Sequence, residues 1–262
     1  MITGGFDAGS EYLKVALLGD NKILSYSSLP YGRESISVTA QTGLNDAIYK
    51  ARIPQSSIDY VAATGSNREA VPFAQGYISE PTCCARGAVW LFPSTRTVID
   101  LGFDKCTVLK CSNGSVLRIA RNDKCAAGTG RYLNVISKLL QVTEEEAGKL
   151  SLQSHEVLNI EATCTVFVES EIISLIHQGK AREDILRGAF KGLAHRIYPL
   201  LLKVAFEREI TLVGGMAKNV GVIKVLEEQI GHSLLIPEEP IMVGVLGAAI
   251  IARESLKGAS SS

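Results

Sequence analysis

The sequence predicts an α/β protein made of two similar lobes, and three observations support this prediction. An apolar strand, an Asp-x-Gly turn and a hairpin occur together twice, at residues 2–26 and at residues 97–120, which indicates an internal duplication of architecture. The 262 residues allow two compact lobes or one large α/β unit. Because 46% of the residues are hydrophobic and only 21% are charged, the chain can bury a substantial core.

The first half of the chain combines strands with one helix. Apolar or alternating runs bounded by turn formers predict strands at residues 2–6, 15–18, 23–26 and 59–64. Apolar residues recur with helical spacing from Ile36 to Ala51, which predicts a helix there. Gly65 ends the last of these strands.

The second half repeats the hairpin and then becomes mainly helical. The predicted strands are residues 97–99, 106–110, 115–120 and 210–213, and the predicted helices are residues 132–141, 165–178, 182–206, 222–230 and 242–253. Pro199 is expected to interrupt the third of these helices, whereas the Gly- and Ala-rich last helix is expected to pack closely. We expect residues 1–92 with 242–257 to form one lobe and residues 93–241 the other, with a hinge within residues 85–94.

Composition narrows the class of protein. The 27 basic residues balance 27 acidic ones, so the overall charge does not indicate a nucleic-acid partner. The sequence contains neither a signal-peptide pattern nor an uncharged apolar run of 18 residues, so we expect a soluble, cytoplasmic protein that does not enter a membrane. Six cysteines are too few for a disulfide scaffold, which leaves buried thiols, metal ligands or redox groups.

The two Asp-x-Gly turns are candidate phosphate-binding sites. Gly9 and Gly102 let backbone amides approach phosphate oxygens, while Asp7 and Asp100 can hold a hydrated Mg²⁺. A single turn of this composition is more often an ordinary hairpin turn, but the second copy of the turn at Asp100 favours a role in nucleotide binding.

Two further features extend the candidate site. Lys14 follows the first turn at a spacing that places its ammonium near the β- or γ-phosphate, although a solvated lysine at a strand end is equally typical. Gly214 and Gly215 directly follow an apolar strand and would let a nucleotide lie flat against the backbone, or they form a simple strand-to-helix turn.

Taken together, four segments resemble the actin, Hsp70 and sugar-kinase superfamily of ATPases: DAGSEYLK (7–14), DLG (100–102), LVGGMAKN (212–219) and GVLGAA (244–249). This resemblance implies two ribonuclease-H-like lobes with ATP in the cleft between them. It also implies nucleotide-binding roles for residues in these segments, namely Gly9, Ser10, Lys14, Gly102, Gly214, Gly215, Asn219 and Gly244.

Two cysteines share an unusual setting. Cys125 and Cys164 each stand just before a predicted helix start, where free amides and the helix dipole stabilise a thiolate and make it a competent iron ligand. The alternative interpretation is that both cysteines are simply small buried packing residues, because the separation between them matches no local metal-binding motif.

The words around these cysteines, NDKCAAGTGRYL (122–133) and TCTVFVESEIIS (163–174), closely resemble the BadF/BadG/BcrA/BcrD-type ATPases, as does TCCARGA (82–88). The family includes activators of 2-hydroxyacyl-CoA dehydratases and subunits of benzoyl-CoA reductases. The resemblance implies a dimer that shares one [4Fe-4S] cluster, with ATP hydrolysis driving an electron to such a partner enzyme. Gly128 and Gly130 within the first motif are implied to bind the nucleotide.

The remaining cysteines favour simple packing. Cys83 and Cys84 are adjacent, so their side chains are expected to diverge on an extended backbone, and Cys106 and Cys111 lie in or beside hairpin strands.

The sequence departs from the family at the second turn. The family usually has DIGGQDxK, whereas this chain has DLGFDKCTVLK. Phe103 replaces a glycine, Asp104 takes the place of the glutamine and Lys105 that of the aspartate. The family uses this region to position water and metal, so Asp7, Asp100 and Asp104 are the catalytic candidates, Lys105 is a binding candidate, and hydrolysis is expected to be slow or re-tuned. The TGYGR-like segment of the family is also altered, to TGSNREA (64–70).

Three functions fit these features. The leading one is an ATP-dependent electron activator or reductase component, working as a homodimer or beside a paralogue. A small-molecule kinase of the same superfamily is disfavoured, because it would leave Cys125 and Cys164 incidental. A non-enzymatic, ATP-binding iron-sulfur regulatory protein is the third.

Overall fold

The computed structural model describes residues 1–122, 129–156, 158–160 and 165–259. It divides into two compact units: the first comprises residues 1–95, 111–117 and 241–262, and the second residues 96–110 and 118–240. Residues 111–117 join the first unit, where Arg86 Nη1 donates a hydrogen bond of 3.0 Å to the Asn113 carbonyl.

The strands and helices of the described ranges are numbered along the chain. The strands are β1 (Ile2–Ala8), β2 (Tyr12–Gly19), β3 (Lys22–Pro30), β4 (Ile58–Thr64), β5 (Gly76–Tyr77), β6 (Thr97–Leu101), β7 (Cys106–Ser112), β8 (Ser115–Asn122) and β9 (Ile210–Val213). The helices are α1 (Ile36–Ala51), α2 (Glu80–Leu91), α3 (Gly130–Leu139), α4 (Glu144–Ser151), α5 (Thr165–His177), α6 (Arg182–Val204), α7 (Val220–Ile230) and α8 (Val243–Ala259).

The first unit is built on a five-stranded sheet in the order β3-β2-β1-β4-β5. β1 pairs antiparallel with β2 and parallel with β4. This register puts Asp7 opposite Lys14 on one side and opposite Thr64 on the other. The carboxyl end of β1 is therefore flanked by a basic side chain and by the end of β4.

Helices α2 and α8 approach each other unusually closely in this unit. A Cβ added at Gly87 would lie 2.1 Å from the Val243 carbonyl oxygen, and one at Gly247 would lie 1.8 Å from that of Cys83. Only glycine fits at these contacts, which confirms the predicted close packing of the last helix.

The second unit repeats the plan with a sheet in the order β8-β7-β6-β9. β6 pairs antiparallel with β7 and parallel with β9, so Asp100 lies opposite Val213. The helices α3 to α7 bury a large apolar core that includes Tyr132 and Phe190. The predicted duplication of strand, turn and hairpin is thus present in the structure.

Two expectations were wrong and two helices were missed. Cys83 and Cys84 lie within α2, not on an extended backbone, and both are buried. Ser79 caps this helix, and Pro81 occupies its first turn, where its missing N–H costs no hydrogen bond. The helix α4 was also not predicted. Finally, α6 continues through Pro199, since the flanking residues bury an apolar face that outweighs the lost bond.

Within the described ranges, no helix is long and apolar enough to cross a membrane.

Candidate functional site

The first candidate turn joins β1 to β2. The Gly9 amide donates to the Tyr12 carbonyl at 3.1 Å and closes the hairpin. Lys14 Nζ lies 2.8 Å from Asp7 Oδ2, and both side chains are about four-fifths buried, with 20% and 18% of their surface exposed. Lys14 is therefore not a solvated strand-end lysine. It holds positive charge at the turn and compensates the Asp7 carboxylate.

The end of the neighbouring parallel strand buttresses this turn. Gly65 follows β4 with φ +95°, and a Cβ there would lie 2.4 Å from the Ala8 carbonyl oxygen and 2.7 Å from Asp7 Oδ1. Asn67 donates through its backbone N–H to the Ala8 carbonyl at 2.9 Å and through Nδ2 to the Gly9 carbonyl at 2.8 Å. The sequence analysis noted that Gly65 ends a strand and that this segment departs from a family pattern, but it did not place the segment beside the first turn.

Tyr31, which the sequence analysis did not single out, also lies beside the first turn. Tyr31 donates through its backbone N–H to the Glu11 carbonyl at 3.1 Å, which ties it to the turn. Its hydroxyl oxygen is buried and has no hydrogen-bond partner among the described residues. Burial first, and the charge of Asp7 second, raise the pKa of Tyr31 to about 12. An orphaned hydroxyl near a carboxylate fits a site that receives another polar group.

The second candidate turn has the same construction. The Gly102 amide donates to the Lys105 carbonyl at 2.9 Å. Gly214 follows β9 with φ +90°, and a Cβ there would lie 2.3 Å from the Leu101 carbonyl oxygen and 3.0 Å from Asp100 Oδ1. In each unit, an aspartate at the end of one strand is therefore packed against a left-handed glycine at the end of the next parallel strand.

This construction fits phosphate and a hydrated Mg²⁺. Each glycine removes the side chain that would fill the space beside the carboxylate, and carboxylate oxygens are the ligands that Mg²⁺ prefers. Other predicted binding residues are accessible: Ser10 is exposed, and nothing lies within 4 Å of a Cβ added at Gly215 or Gly244.

Asn219, which follows Gly214 and Gly215 along the chain, stabilises the start of α7. Its Oδ1 accepts hydrogen bonds of 3.0 Å from the amides of Gly221 and Val222 and so caps α7. Its Nδ2 donates to the Glu144 carbonyl at 2.6 Å, and the residue is buried. The predicted contact of Asn219 with a nucleotide stays a prediction.

The predicted iron ligands Cys125 and Cys164, together with Gly128, lie outside the described residues. The four other cysteines are buried, and none of them forms a disulfide. Burial raises the pKa of Cys83 to about 12 and, with the charge of Asp100 as a smaller cause, also raises that of Cys106. Buried neutral thiols are poor iron ligands, because the thiolate is the ligating form. Among the described residues, no group of three or more His, Cys, Asp or Glu side chains is placed to hold a metal ion.

Comparison with known proteins decides the family. The model of the BadF/BadG/BcrA/BcrD ATPase family matches residues 5–252. The chain belongs to this ATPase family. The match spans both candidate turns and both cysteine motifs, so the resemblance predicted from these segments is confirmed.

Named relatives align over nearly the whole length of this ATPase. It is 35% identical to the 2-hydroxyisocaproyl-CoA dehydratase activator of Clostridioides difficile, over 98% of this chain and 97% of that protein. It is 30% identical to a benzoyl-CoA reductase subunit of Thauera aromatica, over 95% of this chain and 92% of that protein.

Solved structures confirm the predicted actin/Hsp70/sugar-kinase-like α/β fold. Component A of the Acidaminococcus fermentans (R)-2-hydroxyglutaryl-CoA dehydratase matches with a TM-score of 0.94 and 33% identity, over 98% of this chain and 99% of that one. The Clostridium difficile 2-hydroxyisocaproyl-CoA dehydratase activator with bound ADPNP matches with a TM-score of 0.92 and 35% identity, over 100% and 97%. A ROK family glucokinase from Streptomyces griseus shares the fold alone, with a TM-score of 0.61 and 13% identity over 97% and 100%.

The residues of the second turn that were expected to depart from the family pattern contact the start of α3. Arg131, in the first turn of α3, places its Nη2 2.6 Å from Asp104 Oδ1 and its guanidinium 5.0 Å from the centre of the Phe103 ring. The Asp104 carboxylate is thus ion-paired with the Arg131 guanidinium. The Gly130 amide donates to the Gly102 carbonyl at 2.9 Å, so this predicted binding residue adjoins the second turn.

Proposed function

We propose that this ATPase is an ATP-dependent, low-potential electron donor that carries a [4Fe-4S] cluster. In this proposal it activates a 2-hydroxyacyl-CoA dehydratase or serves a benzoyl-CoA reductase-type enzyme. The observation that carries the proposal is the repeated pairing of a strand-end aspartate with a left-handed glycine, in a chain that aligns with dehydratase activators from end to end.

The two turns bind the phosphates of ATP in this proposal. Asp7 in the first unit and Asp100 in the second would each be able to hold a hydrated Mg²⁺, which would neutralise phosphate charge as it develops during transfer to water. Lys14 stays close to Asp7 and supplies a point charge for the phosphates. Gly215 leaves open space for the nucleotide beside the backbone, and Ser10 is exposed at the first turn. Gly9 and Gly214 shape the backbone of the two turns.

Hydrolysis is slow in this proposal, for a reason that lies in the second turn. Asp104 replaces a neutral residue of the family and pairs with Arg131, so its carboxylate is engaged by a cation and less available to orient an attacking water. Lys105 adds positive charge beside it. Slow hydrolysis would hold the ATP-bound state long enough for a partner enzyme to dock.

The cluster would be held by Cys125 and Cys164 of two chains. It would supply one-electron transfer at low potential, which no side chain can perform. The described cysteines are unsuited to this task because they are buried, and Cys83 and Cys106 have raised pKa values. The partner would be the dehydratase or reductase component, reached by a homodimer or by a heterodimer with a paralogue.

Anaerobic purification followed by two assays tests this function. We expect about two iron atoms per chain, because four irons are shared by two chains. We also expect ATP hydrolysis that responds to a reductant, and ATP-dependent electron transfer to an acyl-CoA dehydratase. The proposal would be contradicted if the purified protein contained no iron and hydrolysed ATP at the same rate with and without a reductant.

The variant Asp7→Asn tests the nucleotide part. It should lower ATP hydrolysis by about 100-fold or more, because a Mg²⁺ ligand at the phosphates is lost. Asp46→Asn is the matched control, since Asp46 forms a surface ion pair with Lys50 in the same unit. Equal turnover in the two variants would remove Asp7 from the site.

A further inference from the structure

The second turn and the start of α3 are joined through the backbone. The first amides of any helix have no partner within the helix. In α3, the Gly130 amide donates to the Gly102 carbonyl at 2.9 Å and the Arg131 amide to the Phe103 carbonyl at 3.0 Å. The N-cap residue Thr129 makes no side-chain capping hydrogen bond to α3. The candidate phosphate turn therefore acts as the cap of this helix.

The Arg131 side chain adds a second link between the same two segments. Its Nε and Nη2 donate to Asp104 Oδ1 at 3.1 and 2.6 Å, and its guanidinium lies over the Phe103 ring. A Cβ added at Gly130 would lie 3.1 Å from the Phe103 Cα, so the two backbones are also in close contact. Charge, ring stacking and backbone bonds thus hold the turn and the helix as one piece.

The side-chain part of this link depends on Phe103 and Asp104, where the sequence is expected to depart from the family pattern. A glycine in place of Phe103 offers no ring for a guanidinium, and a glutamine in place of Asp104 offers no charge. The residues at these two positions therefore add a side-chain attachment to α3 beside the backbone hydrogen bonds.

We propose that Arg131 is a positioning residue that couples nucleotide binding at the second turn to the stability of α3. The inference rests on the proposed function only in requiring that this turn binds a nucleotide. A ligand that binds the ordered turn stabilises whatever is ordered with it. The bound nucleotide then protects the amides of α3, and the protection passes through Arg131, Phe103 and Asp104.

Hydrogen–deuterium exchange of residues 130–139 tests the proposal, with the Mg²⁺ complex of the non-hydrolysable analogue ADPNP as the probe. In the wild-type chain, ADPNP should slow exchange in α3 by about fivefold or more, the range of an ordinary coupling. In Arg131→Gln the effect should fall below about twofold. Arg187→Gln, which breaks the Arg187–Glu228 ion pair of the same unit, should keep the wild-type effect.

The outcomes separate this proposal from the proposed function. Calorimetry that detects no ADPNP binding to the wild-type chain overturns both. Binding without protection of α3, or full protection in Arg131→Gln, overturns only the coupling. Arg131 is half exposed, so the variant should fold. If Arg131→Gln does not fold, Phe103→Leu gives a second test, because it removes the ring but keeps an apolar side chain.

Discussion

At the scale of single residues, the positions that matter most are glycines beside carboxylates. Gly65 and Gly214 combine a positive φ with a backbone carbonyl where a side chain would stand. Each position brings a neighbouring strand end against an aspartate, which an L-residue could do only by moving the turn.

The variant Gly214→Ala tests this arrangement. It should lower the free energy of unfolding by about 3 kcal/mol or more, because backbone strain adds to a carbonyl clash. Gly179→Ala is the matched control, since Gly179 has φ +73° but nothing within 4 Å of an added Cβ, and it should cost about 1–2 kcal/mol. Urea denaturation measures both. Equal losses would mean that strain alone, and not the contact with the turn, requires glycine.

Because the Cys83 thiol is buried, we predict that the free energy of unfolding depends on pH in the alkaline range. Burial raises the pKa of this thiol from 9.0 to about 12, an effect that the Thr64 hydroxyl partly opposes. The unfolded thiol loses its proton near pH 9, whereas the folded one retains it. The contribution of Cys83 to stability is therefore complete below pH 9 and falls between pH 9 and 12, by up to about 1.4 kcal/mol per pH unit.

The test is unfolding of wild-type and Cys83→Ala protein at pH 8 and pH 11. The variant should lose less stability than the wild type on going to pH 11, because it lacks the titrating thiol. Val71→Ala removes a buried apolar group from the same unit and should keep the wild-type pH dependence. Parallel behaviour of all three proteins would show that this thiol does not titrate with folding.

At the scale of elements, the packing of α2 on α8 sets the architecture of the first unit. Glycines on both helices allow backbone-to-backbone contact, and Gly5 of β1 does the same against the Val245 carbonyl of α8. Three elements thus meet without intervening side chains, and this contact holds the central strand β1, which carries Asp7, against α8.

Gly247→Ala should lower the free energy of unfolding by about 3 kcal/mol or prevent folding, because its methyl group would overlap the Cys83 carbonyl. Gly258→Ala lies in the same helix with nothing within 4 Å and should be neutral or stabilising by up to about 1 kcal/mol, since alanine favours helix. Thermal unfolding compares the two. A tolerated Gly247→Ala would show that the helices can separate without loss.

At the scale of the whole molecule, the proposed cluster requires more than one chain. Two thiolates per chain are half of what a [4Fe-4S] cluster needs, so iron content and association should be lost together. We expect Cys125→Ala to reduce iron from about two atoms per chain to nearly none and to shift the protein toward a monomer in light scattering.

Cys84→Ala is the control for that variant, because Cys84 is buried in α2 and should leave iron and mass unchanged. Retention of the full iron content in Cys125→Ala would exclude Cys125 as a ligand. Loss of iron without a change in mass would mean that the cluster does not hold the chains together.

The sequence by itself determined the elements whose signal is local. Alternation and helical spacing located α1 and the strands β6 to β9, and the repeated Asp-x-Gly turn indicated the duplication. Only the tertiary structure decided what lies beside each turn. Asn67 contacts Gly9 across 58 positions, and Arg131 reaches Asp104 across 27. Such contacts follow from the register of parallel strands and from helix docking, which no local pattern encodes. The helix α2 was missed for the same reason: its small residues show no helical periodicity, because they are selected by the backbone of α8 and not by an apolar face.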